Sequence, residues 1–428
     1  MHETSIFSLY LDFAKCAPEV PNTYHRWCCM SGIASLLSRS FYFQHGNFRV
    51  FPNLYIMLIG EAGARKSTSI KLVKKLLGAS GYTDFSANKT TKEKFLVDLQ
   101  REEDFDLLHT TKRSYDATTA TNLWGDSNEG IEATAETHAS WIVADEFINF
   151  IGRGNIDFCN LLGELWDFDE PVYRDRIKNG RSVTIPFPVC NILAGTNQEN
   201  FALAFPPEIM ATGFLSRILL IYGEPTGERI TFPTDATQEV KEAIKKELQE
   251  IKQQVSGRAQ TDSEADTVLD EIYKQWKDLP DIRFRTYSSR RFTQLIKIIL
   301  SVTASYKTNR INSRIVKEAN TYLAAAEHLM SKALGEFGKG KHGDIINRIL
   351  GMMENTDRTI EIKDIWKEVH RDLDKPSELA IILQNLEQAE KIIRVPGKGF
   401  LPRAEKRREE KHVDWNLLSQ EERKGIGI

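Results

Sequence analysis

The stretch that decides the fold is Leu54-Tyr55-Ile56-Met57-Leu58-Ile59-Gly60-Glu61-Ala62-Gly63-Ala64-Arg65-Lys66-Ser67-Thr68. It opens with an apolar run of β-branched, aromatic and long aliphatic residues, which is typical of a buried parallel strand. A glycine-bearing turn follows, then Lys-Ser, then a helical pattern over residues 70–77. This order of strand, loop, Lys-Ser and helix predicts a phosphate-binding P-loop.

The residue types of this loop suit a nucleoside triphosphate. Backbone N–H groups at a helix N-terminus converge on an anion, and glycines let the backbone come close to it. We expect ATP here, with the Lys66 ammonium on the β- and γ-phosphates and the Ser67 hydroxyl on Mg²⁺. The residues expected to contact the nucleotide are Gly60, Gly63, Ala64, Arg65, Lys66, Ser67 and Thr68.

One position departs from the pattern G-x-x-x-x-G-K-[ST]. The glycine expected directly before the lysine is Arg65. We expect Gly63 to supply the backbone freedom instead, and the Arg65 side chain to point outward. The alternative is a turn that carries Lys-Ser by chance, and the residues downstream bear on that choice.

Two further apolar runs end in polar residues suited to hydrolysis. Residues 141–144 lead into Asp145 and Glu146. In P-loop ATPases this Walker B element holds Mg²⁺ through the Asp, and the Glu orients and deprotonates the attacking water. Residues 189–196 lead into Asn197, which we expect to position that water. An apolar run before Asp-Glu also arises by chance, so its place after the P-loop makes it informative.

Two arginines are candidates for contacting phosphate charge. Arg217 enters a fourth apolar run and can act as an arginine finger on the nucleotide of a neighbouring subunit. The alternative for Arg217 is a structural salt bridge. Arg290 or Arg291 opens a helix in a predicted helical lid. Arg290 is the preferred candidate for the sensor 2 role, in which an arginine of the lid acts on the nucleotide.

Residues 172–185 predict a β-hairpin, because two alternating segments flank Asn-Gly. A basic hairpin of this kind is a candidate contact for a nucleic-acid backbone. In the alternative, the hairpin is solvated and its cations meet carboxylates such as Asp169 or Asp175. The basic residues are Arg174, Arg176, Lys178 and Arg181.

Composition bounds the class of protein. A chain of 428 residues with 41% hydrophobic and 27% charged residues suggests two to four globular domains. The net charge of −3 means that any nucleic-acid contact requires a local basic surface. Five cysteines without C-x-x-C spacing predict neither a disulfide framework nor a zinc site. No signal peptide or membrane-spanning run is evident, so we expect a cytoplasmic protein without a membrane partner.

The pattern divides the chain into five segments. Three short helices and a terminal hairpin predict a winged helix-turn-helix over residues 341–403. Its recognition helix carries Glu378, Glu387 and Glu390, so we expect its hairpin (Arg394, Lys398, Arg403) or a protein contact to matter more than groove reading. Residues 101–138 suggest a loop or insertion. The other segments are an N-terminal helical segment (1–50), the P-loop core (51–232), the helical lid (233–340) and a charged, poorly ordered tail (404–428).

Taken in order, the P-loop, Asp145-Glu146, the hairpin, Asn197, Arg217 and Arg290 resemble hexameric AAA+ helicases of the minichromosome maintenance and helicase superfamily 3 type. The lead Asn53-Leu54-Tyr55 and the segment 213–217 look like the primase- and helicase-associated replication ATPases of phages and mobile elements. The resemblance covers roughly residues 20–335. It implies an α/β fold: an AAA+ P-loop core with a parallel sheet, a helical lid and a C-terminal winged helix.

The resemblance implies an ATP-hydrolysing, ring-forming DNA motor. We expect a replicative helicase that works as a hexamer with ATP and Mg²⁺ on single-stranded or fork DNA, with a primase or replication-initiation partner, in a bacterial or phage-infected cell. One alternative is an ATPase switch or loader, in phage–host conflict or replication initiation, that does not unwind DNA. The other is a non-catalytic DNA-binding regulator, against which the Asp145-Glu146 pair and the acidic recognition helix both argue.

Overall fold

The structure is a computed structural model, and it describes residues 5–100, 138–176, 182–205, 209, 213–276, 278–279, 281–335, 343–354, 359–373, 375–388, 392–396, 398–402 and 411–428. Contacts between residues divide the chain into two compact units. The first comprises residues 1–335 and 412–428, and the second comprises residues 336–411. The predicted N-terminal segment, the P-loop core and the helical lid up to residue 335 therefore all fall within one unit.

The first unit opens with two helices and a hairpin: α1 (Ile6–Ala14), α2 (Asn22–Leu37), β1 (Phe41–His45) and β2 (Phe48–Val50). Every residue of α2 from Tyr24 to Leu37 is buried. A helix that is buried on all sides belongs to the interior of a protein. The N-terminal segment is therefore built into the core of this unit.

The centre of the first unit is an α/β arrangement around a parallel sheet. Its strands β3, β4, β7 and β8 follow the order β4-β7-β3-β8 and are all parallel. The four apolar runs predicted as strands are these four strands, which confirms the α/β class with a parallel sheet. The elements are β3 (Tyr55–Ile59), α3 (Lys66–Ala79), α4 (Lys92–Gln100), β4 (Ala139–Ala144), α5 (Phe147–Ile151), α6 (Ile156–Asp167), β5 (Val172–Arg176), β6 (Ser182–Pro186), β7 (Val189–Thr196), α7 (Gln198–Ala204) and β8 (Ile218–Tyr222).

Helices cover the sheet, and this explains why its strands are apolar throughout. All of β3 and all of β7 are buried. Helices α2, α3 and α6 contact β7. Parallel strands covered on both faces read as continuous apolar runs. The carboxyl ends of the strands share one edge, and the P-loop begins there. Most of the insertion predicted after α4 lies outside the described residues.

The rest of the unit is mainly helical, as predicted for the lid. It is not entirely so, because β9 pairs with β1 and β10 pairs with β11. Within the described ranges, none of the helices has the length and apolar composition to cross a membrane. The elements are α8 (Gln238–Gln254), β9 (Gly257–Arg258), β10 (Gln260–Thr261), α9 (Ser263–Gln275), α10 (Arg285–Ser288), α11 (Arg291–Ser305), β11 (Arg310–Ile311) and α12 (Ser313–Leu334).

The described part of the second unit contains three helices and an antiparallel pair of strands around an apolar core of its own. Ile349, Ile365, Leu383 and Phe400 are among the buried residues of that core. The three predicted helices and the terminal hairpin are present, while Glu390 and Arg403 lie outside the described residues. The elements are α13 (Gly343–Glu354), α14 (Ile362–Val369), α15 (Pro376–Gln388), β12 (Ile392–Val395) and β13 (Gly399–Pro402).

The expectation of a poorly ordered tail is wrong for residues 412–428, which belong to the first unit. A capping box formed by Ser419 and Glu422 begins the helix α16 (Gln420–Gly425). Arg26 on α2 donates to both carboxylate oxygens of Glu422 at 2.9 Å, and both side chains are at most 7% exposed. Such a bidentate pair fixes the segment on α2. Charge content alone does not reveal that a carboxylate meets a buried arginine.

Candidate nucleotide-binding site

The chain between β3 and α3 turns sharply through two left-handed residues. Gly63 has φ +92° and Arg65 has φ +60°. This region favours glycine, because a Cβ approaches the following carbonyl. Gly63 adopts a conformation that requires a glycine, as expected, but it does not relieve Arg65. Arg65 itself adopts the conformation that a glycine would take without strain. The Arg65 side chain is exposed, as predicted, and pairs with Glu19.

Gly60 directly follows β3 and lies against Tyr24 of helix α2. Tyr24 Oη donates to the carbonyl oxygen of Ile59 at 2.8 Å and lies 3.0 Å from the carbonyl oxygen of Gly223. A Cβ on Gly60 would clash with Tyr24 Oη and lie 2.6 Å from the Gly223 oxygen. Close packing therefore requires glycine at this position. Sequence reasoning missed Tyr24, because an aromatic residue in a buried helix carries no motif.

Lys66 and Ser67 open α3, a helix of 14 residues whose first N–H groups face the loop. Lys66 Nζ donates to the carbonyl oxygens of Gly60 at 2.7 Å and Glu61 at 2.9 Å. Burial lowers the pKa of Lys66, and the carboxylate of Glu146 opposes that shift. Lys66 and Glu146 therefore lie within electrostatic reach of each other. Thr68, the last residue of the predicted loop, is exposed.

Asp145 and Glu146 follow β4 at the same edge of the sheet. Asp145 Oδ2 lies 2.8 Å from Lys71 Nζ of α3. Glu146 Oε1 is buried and has no hydrogen-bond partner within the part of the chain that is described. A buried carboxylate oxygen without a donor is costly unless a ligand or water meets it. Glu146 thus has the surroundings of a carboxylate that receives a water molecule.

Asn197 follows β7, the strand that separates β3 from β4. Its Oδ1 caps α7 by accepting from Asn200 N at 2.7 Å. With Oδ1 engaged in the cap, Nδ2 is the atom that can donate to a ligand. Neighbouring strands lie about 4.8 Å apart, so Asn197 stands between the P-loop and the Asp145-Glu146 pair along this edge.

The donor set at this edge fits a cation that is bound together with a nucleotide. Among the described residues, no group of three or more His, Cys, Asp or Glu side chains could hold a metal on its own. Mg²⁺ commonly takes one or two protein oxygens and completes its shell with waters and phosphate oxygens. Ser67 and Asp145 are the protein oxygens available here, and the Lys71 ammonium beside Asp145 shows that this carboxylate already attracts a cation.

Arg217 and Arg290 lie at the other end of the sheet from the P-loop. Arg217 directly precedes β8, where Ile218 stands opposite Tyr55 at the start of β3. The five-residue strand β8 places it roughly 16 Å from the P-loop edge. Both arginines pair with Asp167, at 2.9 Å and 2.7 Å respectively. Within one chain Arg217 is thus a salt-bridged arginine, and its action on a neighbour stays a prediction.

Arg291, the other sensor 2 candidate, is a core residue. Its Nε lies 2.9 Å from Glu327 Oε1, and both side chains are 4% exposed. The guanidinium also lies 3.6 Å from the centre of the Trp276 ring. A side chain enclosed in this way has no path to a phosphate. Arg290 is therefore the arginine of this pair that faces solvent.

Lys297, which sequence reasoning did not single out, is a buried residue that hydrogen-bonds next to Asp167. Its Nζ donates to Asn53 Oδ1 at 2.6 Å, to Trp166 O at 3.0 Å and to Phe51 O at 3.1 Å. The side chain is 2% exposed, and burial lowers its pKa to about 7. Lys297 thereby joins α11 to the end of α6, the helix that carries Asp167.

The hairpin predicted over residues 172–185 is present as the antiparallel pair β5–β6. Tyr173, Val183 and Ile185 are buried, whereas Arg174 and Arg176 are exposed. Neither arginine forms an ion pair with any residue in the described ranges, and Asp169, one suggested partner, instead accepts from Arg49 N at 2.9 Å. Lys178 and Arg181 lie outside the described residues.

A cavity of about 1110 Å³ connects the hairpin with the Asp145-Glu146 region. Glu146 and Arg176 both line it, together with Lys89, Lys92 and Arg153. The Glu146 carboxylate near the P-loop and the exposed Arg176 of the hairpin therefore face the same cavity.

The structure thus brings the P-loop, the Asp145-Glu146 pair and Asn197 to one edge of the sheet, and it places Arg217 and Arg290 at the other. A scan against known protein families and a search of curated proteins found no match to this chain.

Proposed function

We propose that this chain is an ATP-hydrolysing, ring-forming DNA motor, a replicative helicase of a phage or mobile element. Its first unit would be an AAA+ ATPase core with a helical lid, and its second unit a winged helix. The observation that carries the proposal is the convergence of Lys66, the Asp145-Glu146 pair and Asn197 at the carboxyl edge of one parallel sheet. Open α/β sheets bind their ligands outside this edge.

The chemistry follows from the residues at the edge. The phosphates of ATP would lie on loop 60–68, where Lys66 would exchange its carbonyl partners for phosphate oxygens. Ser67 and Asp145 would hold Mg²⁺, which when bound neutralises charge on the β- and γ-phosphates. Glu146 would accept the proton of the attacking water at its unpartnered Oε1. Asn197 Nδ2 would donate to that water and hold it in line.

The arginines support assembly with further copies of the chain. Arg217 and Arg290 lie too far from their own P-loop to reach a nucleotide bound there. In a ring, they would meet the triphosphate of the neighbouring copy, where guanidinium groups stabilise charge on the transferred phosphoryl group. Asp167 holds both of them in the single chain.

Contact with DNA would come from the hairpin β5–β6. Its buried face fixes it to the core, and Arg174 and Arg176 point away without carboxylate partners in the described part of the chain. Cations of this kind bind the phosphate backbone without reading sequence. Since Glu146 and Arg176 line one cavity, DNA bound at the hairpin would lie near the residue proposed to activate water. In the second unit, Arg394 and Lys398 would contact DNA, or the unit would bind a primase or initiation partner.

The test is the ATPase rate with and without single-stranded DNA. Lys66→Ala should lose ATP binding, and Glu146→Gln should bind ATP but turn it over about 100-fold or more slowly. Arg174→Ala/Arg176→Ala should keep the basal rate and lose stimulation by DNA. The matched control, Lys246→Ala/Lys252→Ala, removes two exposed cations from α8 and should behave as wild type.

Two outcomes would change the conclusion. Wild-type turnover in Lys66→Ala or Glu146→Gln would refute the assigned roles. Turnover that ignores DNA in the wild type would refute the motor and leave the ATPase switch or loader, which the same edge of the sheet supports equally well.

A further inference from the structure

A second cavity, of about 400 Å³, lies on the side of the P-loop away from Glu146. Four parts of the first unit line it: the start of α2, the end of β8 with the residues that follow it, the helix α12 and the segment 412–428. Tyr222 and Gly223 line the cavity at the end of β8, and Leu418 and Ile426 line it in the C-terminal segment. None of the roles assigned above uses this space.

Gly223, which lines the cavity, packs against Gly60, the first residue of the P-loop. Gly223 N donates to the carbonyl oxygen of Ile59 at 3.1 Å, and a Cβ on Gly60 would lie 2.6 Å from Gly223 O. Burial, and then the carboxylates of Glu224 and Glu61, raise the pKa of Tyr222, so this tyrosine lies within reach of the loop. The end of β8 thus separates the cavity from the start of the P-loop by the thickness of one residue, Gly223.

The order of the strands gives a bound nucleotide a direction. Along the edge, the Asp145-Glu146 pair follows β4, Asn197 follows β7, the P-loop follows β3 and the cavity adjoins β8. A nucleotide whose γ-phosphate points toward Asn197 and Glu146 directs its ribose and base the other way, toward β8. The cavity is therefore placed for the base.

The lining of the cavity combines apolar and charged side chains, which suits a nucleobase. The apolar residues include Pro21 and Pro225, and Ala325 and Leu329 of α12. Charged groups such as Lys332 and Glu224, which pair at 3.2 Å, complete the lining. Sites for small ligands are mostly apolar with a few polar groups that fix orientation.

The segment 412–428 forms one wall and is anchored on both α2 and α12. Arg26 holds Glu422 and lies 4.6 Å from the centre of the Tyr322 ring. Asp414 N donates to Thr321 Oγ1 at 2.9 Å. A segment that returns from beyond the second unit in sequence is thus placed against the nucleotide site.

We propose that residues 412–428 are part of the nucleotide site: they form the outer wall of the cavity that takes the nucleobase. This inference rests on the proposed function, because it places the triphosphate on the P-loop. Docking of the segment and binding of the nucleotide then stabilise each other, and by linkage each increases the affinity of the other to the same extent. The phosphates alone, without a base, have no such effect.

The test compares Mg²⁺-ATP with Mg²⁺-tripolyphosphate, which has the phosphates but no base, by calorimetric titration. Gly425→Trp places a large side chain at the rim of the cavity, because Gly425 lines the cavity and a Cβ there meets no atom within 4 Å. It should weaken ATP about tenfold or more, the scale of losing one stacked base, and leave tripolyphosphate unchanged. The matched control is Gly351→Trp on α13, where a Cβ also meets nothing within 4 Å; it should change neither affinity.

Hydrogen exchange gives a readout that is independent of hydrolysis. ATP should slow amide exchange in residues 418–426 of the wild type, and tripolyphosphate should not. If Gly425→Trp does not fold, Ala325→Trp fills the same cavity from α12 and should give the same selective loss.

Wild-type ATP affinity in a folded cavity-filling variant overturns the inference, as does equal protection by ATP and tripolyphosphate. Lys66→Ala separates this failure from that of the proposed function. If Lys66→Ala loses both ligands while Gly425→Trp keeps both, only the present inference fails. If Lys66→Ala binds both ligands as wild type does, the proposed phosphate site itself fails.

Discussion

Arg65 offers a direct test of how the P-loop tolerates its missing glycine. Its backbone has φ +60° and ψ +21°. For a residue with a Cβ, the left-handed conformation costs roughly 1–2 kcal/mol. Glycine avoids that cost but loses about 0.5–1 kcal/mol more conformational entropy on folding. Comparing Arg65→Gly with Arg65→Ala isolates the backbone, because both variants lose the Glu19 ion pair. We expect the glycine variant to be more stable by about 1 kcal/mol.

The assay is urea unfolding of both variants at 25 °C, followed by tryptophan fluorescence. A change of midpoint at constant slope reports stability. Arg65→Lys keeps a cation and the left-handed strain, so it should unfold close to wild type and serves as the control. ATP should bind to Arg65→Gly no more weakly than to wild type, because the backbone N–H groups keep their positions. Agreement of the alanine and glycine variants within about 0.3 kcal/mol would refute the strain argument.

Three other predictions test the supports of the site. Gly60→Ala should lower the free energy of unfolding by about 2 kcal/mol or more, because its methyl group clashes with Tyr24 Oη. In a double-mutant cycle, Tyr24→Phe should recover part of that loss. Strict additivity of the two changes in unfolding free energy would contradict the contact. Burial lowers the pKa of Lys297 to about 7, against about 10.4 when unfolded. Between these values the unfolded chain holds a proton that the folded chain has lost, so stability should rise with pH by up to about 1.4 kcal/mol per unit. In urea unfolding at pH 7 and 9, Lys297→Met should be less stable and show a smaller rise; an equal rise would exclude Lys297 as its source. Asp167→Asn should leave ATP affinity unchanged and alter turnover only at protein concentrations that allow assembly. The measurement is the ATPase rate as a function of protein concentration. An altered rate in dilute monomer would contradict the action of Arg217 and Arg290 on a neighbour's nucleotide.

The sequence predicted the sheet because of how parallel strands are covered. With helices on both faces, β3 and β7 have no solvent side and read as unbroken apolar runs. The same reasoning did not find the role of α2, because a helix buried on every side lacks the one-sided apolar pattern that marks a helix packed on a core. The N-terminal segment was therefore predicted as a separate block.

Motif order predicted which candidate residues meet at one edge of the sheet, since they directly follow parallel strands whose carboxyl ends share that edge. Contacts between distant parts of the chain left no comparable signal: Arg290 meets Asp167 across 123 positions. The docked tail had one readable feature. Ser419 and Glu422 have the S-x-x-E spacing of a capping box, which predicts a helix start inside the segment expected to be poorly ordered.

The separation of Lys66 from Arg217 constrains how copies of the chain can assemble. The two residues lie at opposite ends of parallel strands, roughly 16 Å apart. An ordinary interface covers about 800 Å² of each partner, so one patch can span both. A two-fold contact would then bring the arginines of each copy to the P-loop of the other, because it pairs residue i with residue j and j with i. A heterologous contact, in which one end of the sheet meets the other end in the next copy, closes into a ring or continues as a filament instead. The proposed ring therefore requires the heterologous contact, and it is a statement about the interface between copies and not about the individual motifs.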